Sequence, residues 1–178
     1  FSTVNQTFFA RYLIDNAKDK DEKIYFLTEY LHTLFHYVVN SAIDSVVEDK
    51  LYNMVENNEP VNKDIILNFA KEQYSKTWND EVKTRHTPVR TISMMHYYNA
   101  PYYVWQYACG QLNANFIVNK ITKDPKFVEK YFNFVKSGSA YPLDMLKLVD
   151  IDYTKDDVFV EFENELKKRL TELSELIK

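Results

Sequence analysis

The sequence predicts an all-α fold: a compact multi-helix bundle with one very long helix, with residues 1–178 forming a single helical domain. Three observations lead there. Only two glycines and five prolines occur in 178 residues, fewer turn formers than an antiparallel β domain requires. Apolar side chains recur at helical spacing through most of the chain, the signature of a buried helix face. No internal repeat or low-complexity segment interrupts that pattern, and the length is enough to bury one real core.

Val4 to Asn16 reads as a short helix with Phe8, Phe9, Tyr12 and Leu13 facing inward. The polar link Asp19-Lys-Asp-Glu22 follows, with Asp21 placed to cap the next helix. That helix is the long one. Ile24, Leu27, Leu31, Leu34, Val38, Ile43, Val46, Val47, Leu51 and Val55 keep its pattern from Glu22 to about Asn57. Pro60 marks its end, since proline cannot continue a helix and restricts the residue before it. Asn62 caps a helix that runs through Ile65, Ile66, Phe69, Ala70 and Tyr74 to Trp78. Asn79 to Ala100 has no clean period and contains Pro88, so it reads as irregular; such segments inside a domain tend to be functional. Pro101 suits the first turn of a helix reaching Thr122, because its missing N–H is one of the unbonded donors there. A helix from Pro125 to Lys136 is closed by Gly138, and a short turn of helix covers Leu143 to Leu148. An amphipathic closing helix runs from Asp156 to Ile177, its apolar seam too short to specify a coiled coil.

Charge and composition narrow the function classes. A net charge of −4 and a pI near 5.6 argue against a nucleic-acid partner, which calls for a clustered basic surface. No apolar run reaches the roughly 18 residues of a membrane span, so no membrane partner is expected. Cys109 is the single cysteine; it reads as a small buried apolar residue, and a reducing, cytoplasmic setting is expected.

The most informative stretch is Met95 to Gly110, M-H-Y-Y-N-A-P-Y-Y-V-W-Q-Y-A-C-G. With a helix starting at Pro101, His96 and Tyr98 sit on the entering segment while Tyr103, Tyr107 and Gly110 share one helical face. A histidine and phenol hydroxyls converging there can donate hydrogen bonds to a developing oxyanion. Spacing alone favours a tyrosine-rich core helix, because aromatic stripes at helical period usually mean core.

The same block resembles the H-x-x-x-x-P-F-Y-V-Y-x-Y-A-x-G segment of oligoendopeptidase F-like enzymes, zinc metallopeptidases of the M3 (thimet oligopeptidase-like) family. Gly138 to Asp152, G-S-A-Y-P-L-D-M-L-K-L-V-D-I-D, is similar to the family's G-x-S-x-x-P-x-D-L-L-K-x-A-G-V-D block. Phe1-Ser-Thr-Val-Asn-Gln6 resembles the tail of its E-V-A-S-T-F-N-E block. The three fall in the family's order and span nearly the whole chain.

What the resemblance implies is specific. The family's HExxH helix would lie upstream of Phe1, with the third zinc ligand, a glutamate, just before Phe1. The chain, which starts without Met, is therefore expected to be the C-terminal part of a larger metallo-endopeptidase that hydrolyses short peptides. It would carry one wall of the active site and no metal ligand. Zinc would belong to the intact enzyme and not to this chain, which alone is expected to be inactive. Its partners would be short peptide substrates and the remainder of the peptidase chain. The family's catalytic histidine maps onto His96, and its oxyanion-stabilising tyrosines onto Tyr103 and Tyr98; Tyr102 and Tyr107 are further candidates, as peptide-binding groups.

Some positions depart from the family. Trp105 stands where a tyrosine is usual, and Gln6 where a glutamate is. Residues 39–47, V-N-S-A-I-D-S-V-V, stand where the family reads R-Q-T-x-F-A-x-F-E. Loss of a supporting carboxylate can weaken metal affinity or activity about 10–100-fold. The alternative is a non-catalytic helical peptide-binding or interaction module derived from the peptidase, and the residues encoded upstream of Phe1 discriminate the two. Other features carry less. His32 and His36 have the spacing of zinc-binding helix histidines, but Thr33 takes the place of the general-base glutamate and no third ligand is evident. Lys83 to Arg90 reads as a surface loop or as a contact for a peptide carboxylate. The pairs Glu48/Asp49 and Asp156/Asp157 read as solvated or helix-start charges.

Overall fold

The computed structural model describes residues 1–78, 91 and 93–178. Among them every regular element is helical and no strand occurs, as the glycine-poor, helix-period sequence predicts. The chain divides into two compact units, residues 1–35 with 109–178 and residues 36–108.

In the first unit, α1 (Ser2–Asp15) and α9 (Asp157–Leu176) both pack against α2 (Lys20–Leu34). The part of α6 (Trp105–Lys123) from Cys109 onward, α7 (Phe127–Lys136) and α8 (Pro142–Lys147) complete it. Ile14, Leu27, Leu34, Phe116, Ile117 and Ile151 are fully buried there. Each such side chain contributes about 1.5–3 kcal/mol relative to leaving it in water.

The inner face of α1 is not the one its apolar residues suggest. Val4, Thr7, Arg11 and Ile14 are buried; of the four residues expected inside, Phe8 and Leu13 are half-buried, while Phe9 and Tyr12 are each 61% exposed. The cause is Arg11, each of whose three guanidinium nitrogens has a partner. It donates to Tyr30 Oη at 3.1 Å, Asn119 Oδ1 at 2.6 Å and Asn115 Oδ1 at 2.8 Å, and Glu165 Oε1 lies 3.2 Å from its Nε. A charged side chain so satisfied can sit inside, and it turns the helix accordingly. Arg169 joins the network, pairing with Glu165 at 2.9 Å and Glu172 at 3.0 Å. Burial pushes the Tyr30 phenol up to about 12 against the pull of the Arg11 charge. Partial burial pushes Glu172 up, but hydrogen bonds and charge from Lys23 and Arg169 outweigh it and hold its carboxyl below the ordinary range.

The cap of α2 is Asp19 and not Asp21. Asp19 has extended backbone angles, and its side chain accepts from the Glu22 amide at 2.8 Å. Glu22 reaches back to the Lys18 amide at 2.7 Å, so the two side chains satisfy donors at the helix start in both directions.

The very long helix expected from Glu22 to Asn57 is helical throughout but not α throughout. Phe35–Asn40 form a π-helical segment, and α3 (Ser41–Glu56) follows. Its end is set before Pro60 is reached: Asn58 takes a left-handed φ of 55°, and the Glu59 amide bonds the Met54 carbonyl at 2.8 Å.

In the second unit, α3 packs against α4 (Lys63–Thr77). Val47, Met54, Ile66 and Ala70 form their shared core, with Leu51 and Phe69 packed on it. Asn62 caps α4 as expected, its Oδ1 accepting from the Asp64 and Ile65 amides at 3.0 Å each. Asn62→Ala is expected to cost about 0.5–2 kcal/mol, read as a lower midpoint in urea unfolding; an unchanged midpoint would show that the cap contributes nothing.

One turn of helix, α5 (His96–Asn99), precedes α6. The helix expected to start at Pro101 starts instead at Trp105. Tyr102 has φ 55°, a left-handed conformation that a right-handed helix cannot contain. Its amide donates to the Glu48 carboxylate at 2.8 Å. Among the described residues no helix is long and apolar enough to cross a membrane.

Candidate active site

The candidate site lies within the second unit, where α3, α5 and the residues leading into α6 bring aromatic and ionisable side chains together. His96 and Tyr103 stack with ring centroids 5.5 Å apart and planes 6° from parallel. Tyr107 stands edge-on to both, at 5.8 Å from His96 and 5.6 Å from Tyr103. Its hydroxyl lies 3.3 Å from His96 Nε2; which of the two donates is set by the imidazole tautomer. Tyr37 stacks on the other side of Tyr107 at 6.1 Å, and His36 tilts against Tyr37 at 5.2 Å.

His36, Tyr37, His96 and Tyr107 border an open cleft of about 480 Å³, lined also by Ser41 and Asp44, while Tyr103 reaches it only through its contacts with His96 and Tyr107. Its size is in the range of pockets that hold small ligands or peptide side chains. Burial, then the neighbouring Tyr103 and Tyr37, push the Tyr107 phenol up, so it keeps its proton at neutral pH and remains a donor.

The cluster is an exposed wall. Tyr103 and Tyr107 are 39% and 37% exposed, and Met95, Tyr98, Tyr102 and Trp105 more so. The core-helix reading of this block therefore fails for all these residues. Tyr97 is the exception. It is buried and donates its hydroxyl to the Asp44 carbonyl at 2.7 Å, and burial moves its phenol far above the ordinary range. The Asp44 carboxylate in turn accepts from Tyr74 and Thr91 hydroxyls at 3.0 Å each.

Of the residues singled out in the sequence, the structure brings together His96, Tyr103 and Tyr107. Tyr98 lies outside the cleft lining and is 66% exposed. Tyr102 is also exposed, its ring edge-on to Tyr52 at 5.0 Å. His32 is exposed on α2 in the first unit, while His36 borders the cleft in the second. Lys83 to Arg90 lie outside the described residues. Among the described residues, no three His, Cys, Asp or Glu side chains gather closely enough to hold a metal ion.

Sequence reasoning missed Asp44 and Glu48, both buried, because carboxylates are ordinarily solvated. The expectation that Glu48 is a solvated charge is corrected. It accepts from the Tyr102 amide and lies 3.2 Å from the Tyr52 hydroxyl. A signal was available: Asp44, Glu48 and Tyr52 recur every fourth residue, a polar row along one face of α3. Tyr37, which stacks on Tyr107, was also missed.

The family described as Peptidase family M3 matches residues 1–164. The chain is 28% identical over 180 residues to oligopeptidase PepF of Bacillus subtilis (strain 168), covering 99% of this chain and 27% of that protein. It is 29% identical over 182 residues to an oligoendopeptidase F homolog of Borreliella burgdorferi, covering 98% and 30%. The crystal structure of oligoendopeptidase-F from Enterococcus faecium shares the fold, with a TM-score of 0.85 at 24% identity, over 99% of this chain and 35% of that one. The chain thus spans under a third of the length of these two curated relatives.

Proposed function

This chain belongs to peptidase family M3, and from that membership we propose that it forms one wall of the substrate cleft of a zinc-dependent oligoendopeptidase acting on short peptides. The observation that carries the reading is the ring cluster of His96, Tyr103 and Tyr107, held open to solvent beside a cleft of peptide size. The metal supplies a hydroxide-generating centre when bound. The described residues do not fit it, since no metal-holding group forms among them, and in this reading it is held by residues outside this sequence.

The chain's own residues handle the substrate. A peptide carbonyl that is attacked gathers negative charge on its oxygen. Preorganised donors aimed at that oxygen stabilise the charge without having to reorganise. His96 and Tyr103 are assigned this role, with Tyr98 as the alternative hydroxyl. Tyr107 orients the imidazole through its 3.3 Å contact, and Tyr107 and Tyr102 offer ring faces to the peptide.

The test is hydrolysis of short internally quenched peptides by the full-length protein containing this chain. Cleavage abolished by a chelator and restored by zinc is expected. Peptides that bind without being cut would overturn the reading in favour of the non-catalytic interaction module.

A further inference from the structure

We infer that Glu48 is the positioning residue of the aromatic cluster, acting through the backbone of residues 97–102; this rests on the reading of His96 and Tyr103 as oxyanion donors. Glu48 is 0% exposed, a burial that glutamate seldom undergoes unless its carboxylate is well partnered. Its bonded partner is a backbone amide, and a phenol lies alongside. Oε1 accepts from the Tyr102 amide at 2.8 Å and lies 3.2 Å from the Tyr52 hydroxyl, while Oε2 meets no partner among the described residues.

Both contacts converge on one short segment. The Tyr102 amide that Glu48 holds belongs to a residue at φ 55°, where a tyrosine stays only if its surroundings fix it. The Tyr52 hydroxyl donates to the Tyr97 carbonyl at 2.6 Å, so the other end of the segment is tied to the same place. Immediately outside these two anchor points stand His96 and Tyr103, the pair whose planes differ by 6°. Glu48 holds residue 102 and Tyr52, one helical turn further along α3, holds residue 97, so the carboxylate fixes the Tyr103 end of the segment against the His96 end. Charge assistance makes this amide bond stronger than a neutral one.

The experiment uses the full-length protein with Glu48→Leu, which removes the acceptor, and Glu48→Gln, whose amide oxygen can still receive the Tyr102 N–H. Peptide hydrolysis and amide hydrogen exchange over residues 97–105 are measured on both. Glu48→Leu is expected to lower kcat at least tenfold with KM within about threefold, and to speed exchange in that segment, because misplaced donors lose transition-state binding and spare ground-state binding. Glu48→Gln is expected to restore most of kcat and the slow exchange. Normal kcat in Glu48→Leu, or equal losses in the two variants, would overturn the proposal. If Glu48→Leu does not fold, Tyr52→Phe serves instead. It deletes one hydroxyl, and unchanged exchange together with unchanged kcat would overturn the proposal equally. Exchange needs no activity, so a silent His96→Ala would fail the functional reading while the anchoring of residue 102 was still being judged on its own.

Discussion

His96→Ala and Tyr103→Phe in the full-length protein are each expected to lower kcat by about 10²–10³-fold, equivalent to roughly 3–4 kcal/mol, and to leave KM nearly unchanged. The magnitude is that of removing one preorganised donor from a site of developing charge. The split between kcat and KM follows because the oxyanion exists only in the transition state. Tyr103→Phe is the sharper of the two. It keeps the ring that stacks on His96 and deletes one hydroxyl. A packing role predicts a lower melting temperature with normal turnover, and a catalytic role predicts the reverse. A silent Tyr103→Phe beside a damaging Tyr98→Phe or Tyr107→Phe would keep the site and move the hydroxyl. If none of the three matters, the cluster has no part in turnover.

Glu165→Leu is expected to destabilise the protein by about 3–5 kcal/mol, the usual consequence of removing one member of a buried ion pair. Glu165 stands between two guanidiniums, 3.2 Å from Arg11 and 2.9 Å from Arg169, and all three side chains are nearly inaccessible. Without the carboxylate, two like charges face each other inside the first unit. Arg169 keeps Glu172, but Arg11 keeps only neutral partners among the described residues. Glu165→Gln retains a hydrogen-bond acceptor without the charge and should fall between the parent and Glu165→Leu. Unfolding free energies from urea titration measure all three. A Glu165→Leu loss below about 1 kcal/mol would place the network among the weak surface pairs.

The same network shows where the sequence was legible and where it was not. The helical class and the existence of most helices followed from apolar period and scarce glycine, both local signals. So did the Asn62 cap, because capping depends on a side chain and amides two or three residues away. The inner face of α1 was read wrongly because Arg11 finds its partners on α2, α6 and α9, and no local window contains Asn115, Asn119 and Glu165. The start of α6 was misplaced for a similar reason. Pro101 permits a helix, but Glu48, more than fifty residues earlier in the chain, draws the Tyr102 amide away from one. The π-helical segment at Phe35–Asn40 leaves no mark in an apolar pattern that tolerates both turns. Within the candidate site, His96 and the tyrosines were visible as residue types in a motif. Their mutual geometry, and the carboxylates behind them, came only from the fold.

The polar interior of α1 also constrains how this sequence can change over generations. An apolar core position accepts neighbours in size one step at a time, since each intermediate costs little. Arg11 offers no such path. Losing it takes one donor each from Tyr30, Asn115 and Asn119 and one of two guanidiniums from Glu165, and losing Glu165 leaves Arg11 without a carboxylate, so every single step passes through a buried group short of a partner. Arg11, Tyr30, Asn115, Asn119 and Glu165 should therefore be inherited as a set. Lineages in which one of the five has drifted should carry compensating changes at the others, while Phe9 and Tyr12, on the outer side of the same helix, vary freely by comparison.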